Sequence, residues 1–226
     1  MRIVIVDDHR LMRGFLRDFC VIEAGYEVVG EADCGKSAII EVMKTKPDVL
    51  LLDLNLPDFG GFRVLEILRE ATCCPRYVML ISAYCTDLTV SLVEHAQVQG
   101  FLDKLGTTTL VLGRALKTVT GGQNYWSQNF LEKRASRHSD PNAFDKMLSA
   151  REITILCLLG AFLSDEEIGH RLNISAETVA KHRFNIFHKL GLHSKLDLMR
   201  YARDHGFLDS HAFFSIPSPM PARAAV

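Results

Sequence analysis

The sequence predicts an α/β fold, a doubly wound parallel sheet of five strands, followed by a smaller all-α domain of four helices. Short apolar runs recur about every 25 residues up to position 104, and segments with helical spacing of apolar residues lie between them. Beyond position 148 only helical spacing remains. Strands that alternate with helices form parallel sheets covered on both faces, and ligands bind such sheets at the carboxyl ends of the strands.

The predicted strands are short, apolar and separated by helical segments. They are IVIV (3–6), EVVGEA (27–32), VLLLD (49–53), YVMLIS (77–82) and GFLDK (100–104). Two intervening helices are indicated by apolar residues three and four apart, from Leu11 to Phe19 and from Ala38 to Met43. Three more helices are predicted at 62–70, 87–97 and 107–119.

The character of the chain changes after the first predicted domain, residues 1–121. Residues 122–147 are predicted to form a linker, because they include a polar stretch that contains a proline. Residues 148–208 are predicted to form the second domain, with helices at 150–161, 165–172, 176–190 and 195–205. The tail, 209–226, contains three prolines and is predicted to be disordered.

Composition is that of a soluble globular protein, with 48% apolar and 23% charged residues. No apolar run approaches the ~18 residues of a membrane span. The chain enters a strand without a signal-peptide pattern, so we expect a cytoplasmic protein with no membrane partner. The six cysteines show no CxxC spacing and are predicted to be reduced thiols. Net charge is −1, so nucleic-acid binding would require a local basic patch.

Charged and hydroxyl side chains follow four of the five predicted strands. The strands end in Asp7 with Asp8, in Asp53, in Ser82 and in Lys104. These ends meet at one sheet edge, where three carboxylates would repel one another unless a cation neutralised them. Mg²⁺ suits such oxygen ligands, and Lys104 and Ser82 suit the oxygens of an anion attached to Asp53. The pattern indicates an aspartyl-phosphate site. Taken singly, each residue could be a helix cap or a solvated charge.

The motifs VIVDDH, LLLDLNLP, LIS and GFLDK resemble the receiver domain of two-component response regulators, which has a flavodoxin-like fold. The resemblance covers about residues 1–121. It implies that a sensor histidine kinase phosphorylates Asp53 and that Ser82 and Lys104 bind the phosphoryl group. It also implies that Phe101 is an aromatic switch, although Phe101 could equally be plain core. The implied Mg²⁺ ligands are Asp7, Asp8, Asp53 and the backbone carbonyl of Asn55.

The second domain resembles the LuxR-type helix-turn-helix over its whole length, from LSAREI to HKLGL. The two domains together resemble the NarL/FixJ family of response regulators. This resemblance implies a transcription regulator that binds promoter DNA and forms a homodimer when phosphorylated. Ser164 and Ser175 are suitable amino-terminal caps for the two helices of the motif.

The helix predicted at 176–190 has two distinct sides. The residues expected to face the core are Val179, His182, Ile186 and Leu190. The residues expected on the opposite side, open to a DNA groove, are Lys181, Phe184, Asn185 and His188. Residues 178–203 contain six basic residues against one acidic residue, which is the local patch that DNA binding requires. The candidate DNA contacts are Thr178, Lys181, Arg183, Phe184, Asn185, Lys189 and Lys195.

This domain departs from the family pattern at three positions. The family usually has glycine where Phe162 stands, a basic residue where Glu166 stands and lysine where Ala180 stands. Two DNA contacts are therefore missing, which lowers the expected DNA affinity or makes it depend on dimerisation. Phe184 is also unusual, and three roles remain open for it: contact with a thymine methyl group, packing into the core, or a protein interface.

Two rival functions compete with a phosphorylated transcription regulator. A phosphatase or phosphotransferase of the haloacid-dehalogenase type would use Asp53 as its nucleophile, but it needs a second acid where Asn55 stands. The other rival is an orphan regulator that acts through constitutive DNA or protein contacts without phosphorylation. The sequence favours a switch protein rather than a metabolic enzyme.

Overall fold

The computed structural model describes residues 1–208, and the tail predicted to be disordered lies outside the described residues. The strands form one parallel sheet in the order β2-β1-β3-β4-β5-β6. Their bounds are β1 Arg2–Val6, β2 Glu27–Ala32, β3 Val49–Asp53, β4 Tyr77–Ser82, β5 Gly100–Asp103 and β6 Tyr125–Trp126. The doubly wound sheet is confirmed, but the strand count of five is wrong. The sixth strand has only two residues, which is too short for its apolar pattern to reveal it.

The helices of the first unit pack on both faces of the sheet. They are α1 Arg10–Asp18, α2 Gly35–Thr45, α3 Gly61–Glu70, α4 Asp87–His95 and α5 Thr109–Thr120. A π-helical turn, Phe19–Glu23, continues α1. All five residues of β3 are buried, as expected for a central strand covered on both sides. Apolar side chains from one face of the sheet form a core with residues of α1 and α5.

The predicted linker contains regular structure. Besides β6 it includes a helix, α6 Gln128–Ser139, and a short helix, α7 Phe144–Met147. Few side chains of α6 are buried, and Phe130 is one of them. The sequence of this mostly exposed helix is accordingly polar. A polar composition alone therefore does not distinguish an exposed helix from an irregular linker.

The chain divides into two compact units within α6, with most of 1–134 in the first and 135–208 in the second. The second unit contains the four predicted helices, namely α8 Ala150–Gly160, α9 Asp165–Leu172, α10 Ala176–Leu190 and α11 Lys195–His205. The count of four helices omitted α7, whose single turn gives little periodicity. Serine hydroxyls cap all four long helices: Ser149, Ser164, Ser175 and Ser194 each accept a backbone N–H from the first turn.

Within residues 1–208, no helix is both long enough and apolar enough to cross a membrane.

Candidate functional site

The carboxylates and the lysine predicted to meet at the sheet edge lie in direct contact. Asp53 is the last residue of β3, and Asp7 and Lys104 each follow the last residue of a strand. Lys104 Nζ lies 2.6 Å from Asp53 Oδ2 and 2.8 Å from Asp7 Oδ2. All three side chains are largely buried. The parallel sheet thus brings residues that are far apart in sequence to one ammonium group.

Burial controls the electrostatics of this cluster. Burial raises the pKa of Asp53, and the Lys104 ammonium opposes that rise while the Asp7 carboxylate adds to it. Burial alone would lower the pKa of Lys104, but the Asp53 and Asp7 carboxylates outweigh it, so its pKa is raised. Lys104 therefore stays charged at neutral pH. Both oxygens of Asp53 are held, because Oδ2 accepts from Lys104 and Oδ1 accepts the Asn55 N–H at 3.1 Å.

The donor set at this edge fits a hard divalent cation. Asp7, Asp8, His9 and Asp53 each offer a ligand atom, and these atoms lie within 4.8 Å of one another. Asp7 Oδ2 is buried and pairs with Lys104 Nζ at 2.8 Å, a contact that occupies one of its two lone pairs. A carboxylate oxygen in that condition has a free lone pair for a metal ion. Carboxylate oxygens are the ligands that Mg²⁺ prefers. The backbone N–H of Asn55 contacts Asp53, whereas the role of its carbonyl as a ligand stays a prediction.

Ser82 and Phe101 lie on β4 and β5, the two strands that follow β3 in the sheet. Ser82 ends β4, is fully buried, and accepts the Tyr84 N–H at 3.1 Å. Phe101 is fully buried in β5, and its ring centroid lies 5.1 Å from that of Phe130 on α6. Trp126 stacks on Phe130, with 5.1 Å between the two ring centroids. Phe101 is thus core, and it also begins an aromatic stack that reaches α6.

Sequence reasoning missed two residues at this site. His9 lies beside the acids, with Nδ1 2.7 Å from Asp8 Oδ1 and its backbone N–H donating to Asp7 Oδ1. It directly follows the two aspartates, which was the available signal. Gly61 begins α3, and a Cβ there would lie 2.5 Å from the Asp53 carbonyl oxygen. Only glycine permits this approach, so Gly61 helps to fix the backbone that carries Asp53.

In the second unit, α10 presents the two predicted sides. Val179 and Ile186 are fully buried. Lys181, Phe184 and His188 are exposed, as predicted for a surface open to a DNA groove. The remaining residues of the two predicted sides, Asn185, His182 and Leu190, are half-buried. Thr178 and Lys195, the candidates at the starts of α10 and α11, are exposed.

Several cations of the predicted basic patch are paired with carboxylates. Arg183 donates from Nε and Nη2 to the two oxygens of Asp165, at 3.1 and 2.8 Å. Lys189 Nζ lies 2.7 Å from Glu152 Oε2, and Arg203 contacts its neighbour Asp204. The three acids lie outside the window 178–203 in which the charges were counted. The surface is therefore less positive than the local count indicates.

Phe162 lies in the turn between α8 and α9. Its φ is 63°, in the left-handed region that favours glycine, and its side chain is 59% exposed. A glycine, which the resemblance expects at this position, would adopt that backbone without strain. The departure therefore changes the side chain of the turn and leaves its backbone conformation in place.

Comparisons with known proteins cover both units. The sequence model described as "Response regulator receiver domain" matches residues 3–112, and the one described as "Bacterial regulatory proteins, luxR family" matches residues 146–202. The chain is 31% identical over 215 residues to the response regulator GacA of Pseudomonas aeruginosa, covering 93% of this chain and 99% of that protein. It is 28% identical over 218 residues to the response regulator UvrY of Escherichia coli, covering 95% and 99%.

A similar fold occurs in RcsB from Salmonella enterica serovar Typhimurium, solved bound to the promoter rprA in the presence of phosphomimetic BeF₃⁻. The two chains share 23% identity with a TM-score of 0.66, over 90% of this chain and 98% of that one. The receiver domain of a response regulator named NarL from Mycobacterium tuberculosis is 32% identical with a TM-score of 0.50. That match covers 54% of this chain and 97% of the other.

Proposed function

Since the chain belongs to the NarL/FixJ family of two-component response regulators, we propose that a sensor histidine kinase phosphorylates Asp53 and thereby controls promoter binding by α10. The observation that carries the proposal is the contact of Lys104 with both Asp53 and Asp7, at 2.6 and 2.8 Å. A buried carboxylate held beside a lysine and a second acid is suited to accept a phosphoryl group. The chain acts as a switch and not as a metabolic enzyme.

Phosphoryl transfer requires a nucleophile, a leaving group and a cation. A carboxylate oxygen of Asp53 forms the new O–P bond as the P–N bond to the kinase phosphohistidine breaks, and the histidine nitrogen leaves with the electron pair. Lys104, already charged and hydrogen-bonded to Asp53, compensates the negative charge on the phosphoryl oxygens. Ser82, at the end of the adjacent strand, supplies a hydroxyl for the same group.

Asp7, Asp8 and Asp53 hold Mg²⁺ in this proposal, together with the carbonyl of Asn55. His9, the fourth member of the acidic cluster, lies at its exposed rim. When bound, the ion supplies positive charge to the phosphoryl oxygens and relieves repulsion among the carboxylates. The surrounding residues orient Asp53: the Asn55 amide fixes one carboxylate oxygen, and Gly61 permits the close packing behind its carbonyl.

The aromatic stack offers a route from the phosphorylated site to α6. Phosphorylation adds about −1.5 to −2 charges. Drawing Ser82 and Lys104 towards the phosphoryl group would let Phe101 move, and Phe101 packs on Phe130, which packs on Trp126. Trp126, the single tryptophan, should therefore change its fluorescence on addition of beryllofluoride with Mg²⁺. We propose that the activated protein is a cytoplasmic homodimer that binds two half-sites.

The test compares Asp53→Asn with the parent protein. Asparagine keeps the size of the side chain but cannot form the acyl phosphate, so labelling by acetyl phosphate with Mg²⁺ should disappear. DNA binding by the parent protein should strengthen on phosphorylation, and the variant should show no such gain. Asp18→Asn, an exposed acid at the end of α1, is the matched control and should be labelled like the parent.

The orphan regulator is the competing function, supported by the paired cations on the DNA-binding unit. It predicts equal DNA affinity with and without beryllofluoride. If Asp53→Asn is labelled to the same extent as the parent, the phosphoacceptor is another residue. If the parent is labelled but its DNA affinity does not change, the orphan function is favoured.

A further inference from the structure

Phe184 is the most exposed of the large apolar side chains in the described part of the second unit. It lies on α10 with 71% of its surface exposed. Lys181, one turn before it, and His188, one turn after it, are exposed as well. The ring therefore stands at the centre of the open side of the helix, and it does not pack into the core.

The position of Phe184 is fixed by the helix and not by a loop. Ser175 caps α10, and Val179 and Ile186 are fully buried on the opposite side. Among residues 1–208 no aromatic ring contact is made by Phe184, and burying this exposed ring against an apolar group would stabilise a complex. Side chains on the open face of such a helix reach base edges in the major groove.

The charges around Phe184 favour DNA as the occupant over a protein. Lys181 makes no ion pair with any of residues 1–208 and can approach phosphates or a guanine edge. Arg183, the immediate neighbour, is turned to Asp165 and forms two hydrogen bonds there. The open face thus combines a free ammonium group with a phenyl ring. This pair suits a polyanion that carries an apolar group in its groove.

One apolar group projects into the major groove from an unmodified base pair, the C5 methyl group of thymine. A phenyl ring offers no hydrogen bond to a base edge, so its selectivity must come from this contact. We propose that Phe184 recognises a thymine methyl group, and that the target half-site therefore contains a thymine facing this position. The inference rests on the proposed DNA binding of α10 and adds a determinant of sequence specificity to it.

The experiment removes the methyl group from the DNA and the ring from the protein. The beryllofluoride-activated full chain first selects binding sites from a random duplex library. Each thymine of the selected site is then replaced by deoxyuridine, which lacks only the methyl group. For the parent protein, one position in each half-site should weaken binding about fourfold, since burial of one carbon is worth ~0.8 kcal/mol.

Phe184→Ala is the matching protein variant, and Leu196→Ala is its control because Leu196 is exposed on α11. At the sensitive position, Phe184→Ala should bind thymine and deoxyuridine equally, whereas Leu196→Ala should discriminate like the parent. If the parent protein binds every deoxyuridine-substituted site as tightly as the unmodified site, the inference is overturned while the proposed DNA binding stands.

Two other outcomes also overturn it. If Phe184→Ala keeps the discrimination of the parent but weakens self-association, the ring belongs to a protein interface. If the activated full chain selects no DNA at all, the proposed function fails and the role of Phe184 fails with it.

Discussion

Both units pair lysine or arginine with carboxylates, but the two arrangements have opposite electrostatic consequences. In the first unit, Lys104 lies between Asp7 and Asp53 at the end of a parallel sheet, where the two acids are buried and the lysine side chain is largely buried. In the second, Arg183 and Lys189 remain partly exposed and pair with Asp165 and Glu152. The first pairing places a buried ammonium group against the carboxylate that we propose as the phosphoacceptor. The second removes positive charge from a surface that is expected to bind a polyanion.

The difference follows from how each fold positions its side chains. The carboxyl ends of parallel strands lie at one edge of the sheet, so acids and a lysine at those ends lie close together. This proximity can be predicted as soon as the strands are identified in the sequence. Helices joined by short turns impose no such convergence, and which cation meets which acid depends on rotamers and on contacts between helices. Charges at strand ends are therefore dictated by topology, whereas charges on helix faces depend on packing detail.

The largest expected effect comes from removing the cation of the first arrangement. Lys104→Met leaves Asp7 and Asp53 buried without a countercharge, which should lower the free energy of unfolding by about 3 to 5 kcal/mol in the absence of metal. Millimolar Mg²⁺ should restore part of this loss, because a bound ion stabilises the folded state by RT ln(1 + [L]/Kd). Chemical denaturation with Mg²⁺ or with chelator measures both effects.

Lys117→Met, an exposed lysine on α5, is the control for that substitution and should change stability by less than ~0.5 kcal/mol. If both variants unfold like the parent and neither responds to Mg²⁺, the buried acids are not a cation site.

These two regions also show how far the sequence could be interpreted without the structure. The strand ends were identified from apolar runs followed by Asp7, Asp53 and Lys104, and the structure brings these three into contact. Strand β6 and helix α6 were missed, because two residues carry no periodicity and a mostly exposed helix has a polar composition. The open face of α10 was predicted from its spacing. The pairing of Arg183 was not, because Asp165 lies in another helix.

The next effect concerns the buried acid of the second unit. Burial alone would raise the pKa of Glu152, but hydrogen bonds from Lys189 and Ser149 outweigh it and lower the pKa. A lowered pKa in the folded state gives stability that is present above the unfolded value, about 4.3, and is lost as pH falls through the folded value. Glu152→Gln should therefore cost about 2 to 3 kcal/mol at pH 7 and flatten the pH dependence in that acidic window.

Calorimetry of the full chain between pH 3 and 7 measures this second effect, and Glu166→Gln, exposed in the first turn of α9, is the control. A pH profile for Glu152→Gln that parallels the parent would show that the pair with Lys189 does not contribute to the stability of the unit.

A smaller effect separates a base contact from a phosphate contact on the DNA-binding surface. Lys181 and Lys195 are both exposed, at α10 and at the start of α11. Lys181→Ala should cost about 1 to 3 kcal/mol on the selected site and relax its specificity, whereas Lys195→Ala should weaken all sequences alike. Fluorescence anisotropy with selected and scrambled duplexes measures both variants. Equal losses on both duplexes for Lys181→Ala would assign it to the phosphate backbone.

The smallest effect tests whether internal pairing limits DNA affinity. Asp165→Asn removes the acid that holds Arg183, whose pKa is raised by this hydrogen bond. In each half-site, an arginine released to one phosphate should steepen the dependence of log K on log salt by about 0.9, which is about fivefold in affinity per half-site at 0.15 M salt. Glu166→Gln removes the same charge from the same helical turn without touching Arg183. The Glu166→Gln variant can change the DNA affinity through the overall electrostatic field, but its slope of log K against log salt should stay that of the parent. Equal steepening in both variants would mean that the acidic turn of α9 acts through its total charge, and that the Arg183–Asp165 pair has no separate role.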